Sequence, residues 1–189
     1  MNTIKILETL LAQGEYELAR TRASLLPEPQ RTEQLIRILD KCIEEGSWFG
    51  ARNTADLLPE PQRTEQLIRI LDKCIEEGWS GDARNTADLL PEPQRTEQLI
   101  RILNKYSEEG SLGGARETAD LLPEPQRTEQ LIRILNKYIE KGLLGGARET
   151  ADLLPEPQRT EQLIIVLDKY IEEGSLGGAR KTAGLISKK

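Results

Sequence analysis

The string Leu-Leu-Pro-Glu-Pro-Gln begins at Leu25, Leu57, Leu89, Leu121 and Leu153, a constant step of 32 residues (57 − 25 = 32). The register runs backwards as well. Ile4, Ile6, Leu7, Gly14, Ala19, Arg20 and Ala23 stand at the places of Ile36, Ile38, Leu39, Gly46, Ala51, Arg52 and Ala55. It also runs forwards, to Gly174, Ala179, Arg180, Thr182 and Ala183. The 189 residues therefore hold just under six units with no linker between them. A fixed period of this size belongs to arrays in which one unit cannot bury its apolar face alone and stacking supplies the core. The expected organisation is a single repeat domain over 1–189, with units at approximately 1–28, 29–60, 61–92, 93–124, 125–156 and 157–189.

Within a unit, Leu35, Ile36, Ile38, Leu39, Cys42 and Ile43 recur at three- and four-residue spacing, the stripe of a helix and not the alternation of a strand. Pro27 and Pro29 are tolerated only before or in the first turn, and Gly46 is placed for a left-handed C-terminal cap. These signals predict helix A over about Pro29 to Glu45. A shorter helix B follows over about Ser47 to Leu58, with Ala51, Ala55 and Leu58 on one face, and Pro59 and Pro61 stop it. Aromatic residues make up only 4% of the chain, so Leu, Ile and Ala must fill the interior. The expected fold is all-α, a right-handed α-solenoid of six antiparallel helix-turn-helix units.

The residues of the unit resemble tetratricopeptide repeats. Gln13-Gly14-Glu15-Tyr16-Glu17-Leu18-Ala19 resembles that family's turn, a role filled later by Gly46, Trp48 and Ala51. Leu35, Ile38 and Cys42 (Tyr106, Tyr138 and Tyr170 in later units) match its large helix A residues, and Pro61 its inter-repeat proline. Two positions depart from the pattern: Leu39 stands where the family has a small residue, and Ala55 where it has a large one. The period is two residues shorter than the family's usual 34. Near-identity of the units fits either recent natural amplification or a designed array.

The resemblance implies that helix A lines a concave groove. Its columns are Glu33, Ile36 and Asp40; Glu65, Ile68 and Asp72; Glu97, Ile100 and Asn104; and Glu129, Ile132 and Asn136, with Ile43, Glu44 and Ile164 extending them. An apolar stripe flanked by acids suits an extended or helical peptide carrying apolar and basic residues. The competing expectation is that these isoleucines are packed between hairpins. Two arginine columns, Arg52, Arg84, Arg116, Arg148, Arg180 and Arg37, Arg69, Arg101, Arg133, could hold acidic termini or phosphates. Pairing with acids of the Asp56, Glu33 or Asp40 type is the plainer expectation for them. Ile165 ends the second column.

Other chemistry finds little support. The chain has no histidine, the commonest general base and metal ligand. Pairs such as Glu44–Glu45 point about 100° apart on a helix and read as a solvated face. Gly113-Gly114 and Gly145-Gly146 lack the lysine and strand of a phosphate loop, and are expected to admit close helix approach instead. Cys42 and Cys74 occupy equivalent positions too far apart for a disulfide, and are expected to be free buried thiols in a reducing compartment. A net charge of −6 and a pI near 5.0 disfavour nucleic acid, and neither a signal peptide beginning at Met1 nor a membrane span is visible. The expected protein is cytoplasmic and non-enzymatic, needs no cofactor or metal, and takes a protein or peptide partner. The chain begins inside helix A and stops at Ile186-Ser187-Lys188-Lys189 without a polar capping helix. The first unit differs at Leu10, Leu11 and Leu18. Two such ends are complementary to each other, so head-to-tail association is the alternative expectation.

Overall fold

A computed structural model of the chain describes residues 3–187. Met1, Asn2, Lys188 and Lys189, to which the readings of the two ends extend, lie outside the described residues. Within them the chain is helical throughout, with twelve helices and no strand. The long helices are α1 (Thr3–Ala12), α3 (Gln30–Glu44), α5 (Gln62–Glu76), α7 (Gln94–Glu108), α9 (Gln126–Glu140) and α11 (Gln158–Glu172). They alternate with the short helices α2 (Tyr16–Ala23), α4 (Trp48–Ala55), α6 (Ser80–Ala87), α8 (Leu112–Ala119), α10 (Leu144–Asp152) and α12 (Leu176–Ile186). The chain divides into two compact units, Met1–Arg95 and Thr96–Lys189. In the first, α1–α2, α3–α4 and α5–α6 pack as hairpins, and α2 and α4 each also pack on the long helix that follows. In the second, the hairpins α9–α10 and α11–α12 are joined in the same way by α10 against α11. No helix among the described residues is long and apolar enough to cross a membrane.

The ends of the long helices follow from local chemistry. Gly46 takes φ 68°, a backbone conformation that glycine adopts without penalty. Its N–H donates to the Ile43 carbonyl at 3.0 Å, and the Ser47 N–H donates to the Cys42 carbonyl at 2.8 Å. This is the paired bonding of a Schellman cap, and Gly14, Gly78, Gly110, Gly142 and Gly174 share the positive φ. At the other end Pro29 is the N-cap, and the glutamate between the two prolines does the capping. Glu28 Oε2 accepts from the Thr32 N–H at 3.2 Å and from its hydroxyl at 2.8 Å. Glu60, Glu124 and Glu156 repeat the N–H bond with Thr64, Thr128 and Thr160. Hydrogen bonding from the threonine side chain first, and then from its N–H, holds the Glu60, Glu124 and Glu156 carboxyls below the usual range. The Glu–Pro bonds at Pro29, Pro61, Pro93, Pro125 and Pro157 are cis.

Helix B is shorter than expected. It stops at Ala55 in α4, and the chain tightens into three-residue bonds from Leu57 N–H to Thr54 O and from Leu58 N–H to Ala55 O. The proline that follows at 59 disfavours helical φ/ψ at Leu58, yet Leu58 remains buried.

The core is the predicted stripe. Leu35, Ile38, Leu39 and Cys42 are buried in α3, Leu67, Ile70, Leu71 and Cys74 in α5, and Leu131, Ile134 and Leu135 in α9. The short helices bury Ala51 and Ala55 and their equivalents, so the two departures from the tetratricopeptide pattern, Leu39 and Ala55, are both core residues. Thr54, Thr86, Thr118, Thr150 and Thr182 are wholly buried beside them. Each satisfies its hydroxyl by donating to the carbonyl four residues back, as Thr54 does to Gly50 at 2.7 Å.

Two large residues cannot share one spot, and the hairpins resolve this by substitution within the unit. A Cβ placed on Gly114 would lie 2.8 Å from the Tyr106 ring, and those of Gly146 and Gly178 would meet Tyr138 and Tyr170 in the same way. Gly50 faces the smaller Cys42, its Cβ position lying 3.2 Å from Sγ. The second glycine of each Gly-Gly pair thus admits close approach, as expected. The first does not, since nothing lies within 4 Å of Gly113 or Gly145.

Three outcomes are expected of urea unfolding. Leu71, wholly buried, should lose about 2–5 kcal/mol on replacement by alanine, and a loss under about 0.5 kcal/mol would place the core elsewhere. Gly114→Ala should cost about 1–3 kcal/mol through overpacking against Tyr106. Gly113→Ala, one residue away in open space, should gain about 0.5–1 kcal/mol of helix propensity.

Candidate functional site

The columns named from sequence stand at spacings of three and seven, which keeps each triplet on one helix face. Glu33, Glu65, Glu97 and Glu129 are exposed on α3, α5, α7 and α9. Ile36, Ile68, Ile100 and Ile132 are half-buried behind them. Asp40 and Asp72 are half-buried, while Asn104 and Asn136 are exposed. Ile164 of α11 is exposed.

Two clefts open between successive long helices. In the second unit, a cleft of about 320 Å³ between α7 and α9 is lined by Leu103, Asn104, Ser107, Gln130, Arg133, Ile134, Asn136, Lys137 and Glu140. It brings the named residues Asn104 and Asn136 together. In the first unit, a cleft of about 370 Å³ between α1 and α3 is lined by Glu8, Leu11, Ala12, Arg37, Lys41 and Glu45. The two occupy equivalent places, because Glu8 corresponds to Asn104, Leu11 to Ser107, Arg37 to Arg133 and Lys41 to Lys137 (104 − 8 = 96, three periods).

Two substitutions explain the opening between α7 and α9. Ser107 stands where other units have Ile43, Ile75, Ile139 and Ile171, leaving room that a branched side chain would fill. Asn104, like Asn136 after it, stands where other units have Asp40, Asp72 and Asp168, so a carboxylate is missing. Arg69 of α5 reaches back to Asp40 of α3 at 2.5 Å, and Arg37 of α3 lies 3.7 Å from Glu8 of α1. Arg133 faces an amide instead and pairs with Glu129 of its own helix at 2.9 Å. The glutamines differ accordingly. Gln34, Gln66 and Gln98 accept from Arg37, Arg69 and Arg101, whereas Gln130 Oε1 is buried without a partner on a residue only 4% exposed. The cleft therefore combines an unsatisfied acceptor and two amides with the cations Arg133 and Lys137, over an apolar floor of Leu103 and Ile134.

Arginines elsewhere serve to join hairpins. Arg52 donates to Asp82 of the next hairpin at 2.8 Å, and Arg116 to Glu149 at 3.1 Å. Arg69 with Asp40 and Arg133 with Glu129 use the acid types expected, while Asp82 and Glu149 are acids that the repeat pattern does not single out. A third column escaped the sequence reading altogether. Arg63 donates through Nε and Nη2 to Asp56 of the preceding hairpin, at 3.1 and 2.8 Å, and through Nη1 to the Leu89 carbonyl at 3.1 Å. Arg127 and Arg159 repeat the arrangement with Asp120 and Leu153, and with Asp152 and Leu185. Arg31 reaches Leu57 at 3.0 Å. The available signal was an arginine directly after Pro-Gln in all five copies of the repeated string.

The fold and these clefts define an all-α protein of tandem helical hairpins. Among solved structures the chain is similar to a Podosopora anserina putative kinesin light chain with nearly identical TPR-like repeats. The match is at 13% identity and a TM-score of 0.32, covering 97% of this chain and 91% of that one. A variant of that protein matches at 14% identity and a TM-score of 0.32, covering 85% of this chain and 95% of that one. A de novo designed helical repeat protein matches at 20% identity and a TM-score of 0.17, covering 97% and 76%. No protein-family model matches the chain, and no curated protein does. At such TM-scores these likenesses carry no functional weight, and the architecture rests on the hairpins themselves.

Cys42 and Cys74 are free and wholly buried. Burial pushes the Cys42 thiol up, and the Cys74 thiol up to about 12. Since the thiolate is the nucleophile, burial disfavours reaction at either sulfur in the folded chain. Iodoacetamide should leave them unmodified in the folded chain and label both in urea; rapid labelling without denaturant would show that they reach the surface.

Proposed function

We propose that the chain is a non-enzymatic scaffold for protein–protein interaction, which binds peptides along the faces formed by the long helices within each of its two units. The supporting observation is the recurrence of an open cleft at one equivalent position, between α1 and α3 and again between α7 and α9. Half-buried isoleucines give the face apolar grip, and the exposed Glu33, Glu65, Glu97 and Glu129 favour basic side chains on the partner. An acidic net charge argues against nucleic acid as that partner. Free buried thiols fit a reducing, cytoplasmic setting. The alternative, a structural module that associates only with copies of itself, draws on the outer faces of the end hairpins.

Selection of random peptides on the immobilised full chain tests the reading. The peptides recovered should alternate apolar and basic residues. Glu65→Lys combined with Glu97→Lys should weaken them about tenfold, and Ser107→Ile should weaken those seated between α7 and α9. Failure to recover any peptide, or recovery of peptides indifferent to all three changes, would remove the groove from consideration.

A further inference from the structure

Equivalent residues differ sharply in exposure between inner and outer hairpins. Leu112 and Leu144, the first residues of α8 and α10, are each 3% exposed, whereas Leu176, which opens α12 in the same local sequence, is 63% exposed. Inside the second unit α10 has α11 packed on it, but among the described residues no hairpin follows α12. Ile171 and Ile164 lie exposed on the same hairpin. At the other end, Ile6 and Leu10 of α1 are only half-buried, although their equivalents Ile38 and Cys42 belong to the buried core. A shallow groove lined by Lys5, Ile6, Thr9 and Leu10 runs along that face.

Charge also relates these two surfaces. Within the chain, the Arg37 and Arg69 side chains reach 29 residues back (69 − 40 = 29), to Glu8 and Asp40 of the preceding long helix. Lys5 is the α1 equivalent of those arginines, and Asp168 on α11 is the equivalent of their acids. Both are exposed. A second copy that continued the register would set Lys5 against Asp168 at that same separation, with Ile6 and Leu10 against the hairpin that bears Leu176.

We infer that a second copy of this chain docks its α1 face on the α11–α12 hairpin, reproducing between molecules the packing that joins hairpins within one. The surface differs from the peptide clefts, so either reading can fail alone. Sedimentation of the full chain over micromolar to submillimolar concentrations is the test. The average mass should rise above that of one chain. Leu176→Glu, at a site too exposed to disturb folding, should weaken association at least about tenfold while leaving the helical circular dichroism unchanged. Lys5→Glu and Asp168→Lys should each weaken it, and the two together in one chain should restore it. A single-chain mass at every concentration overturns the inference. So does association that ignores Leu176→Glu, or a different protein that covers the α12 face of a chain that stays monomeric.

Discussion

Every hairpin depends on its neighbour for burial. The short helices run mostly to eight residues, far below the length at which a helix is stable by itself in water, and their contribution to the core is chiefly alanine. What keeps α4 folded is packing against α3 on one side and α5 on the other. Hairpins are then joined by charge at their edges: Arg63 ties the end of α4, through Asp56, to the end of its own hairpin at Leu89. Each of these pairs is partly exposed, so its net worth is small. Their value is register, because an arginine that bridges a carboxylate and a carbonyl at once accepts only one alignment of the two hairpins.

The same dependence locates the candidate site. A face made by successive long helices is interrupted wherever the side chains between them fall short. Ser107 removes bulk from this face, and Asn104 removes the charge that would have drawn Arg133 across. The unsatisfied Gln130 is a consequence of that lost bridge. Two changes on α7 are enough to alter the lining of the cleft against α9.

Much of this was legible in the sequence because repetition averages out local ambiguity. The 32-residue step, the helix A stripe and the glycine cap at Gly46 were all readable, and helix A was placed within one residue at each end. Helix B was overextended, since Leu58 looked helical by spacing although the following proline turns it. The partners of Arg52 and Arg116 could not be read, because Asp82 and Glu149 belong to positions where the units differ. Arg31 and its equivalents were overlooked for the opposite reason: a residue present in every copy offers no contrast to mark it. The clefts depend on how α7 meets α9, and no single unit contains that information.

The pairing of Tyr106 with Gly114, repeated in Tyr138 with Gly146 and Tyr170 with Gly178, has a bearing on how such a gene can change. Bulk and vacancy sit eight positions apart (114 − 106 = 8) inside one unit. Duplication or deletion of whole units transmits both halves together and leaves the interior consistent. Recombination with a breakpoint between the two halves would join a tyrosine to the Asp82 type of partner and produce a crowded hairpin, whereas a glycine joined to a cysteine repeats the pairing of Cys42 with Gly50. The array can thus lengthen or shorten freely in whole steps, while shuffling at finer scale is penalised from within.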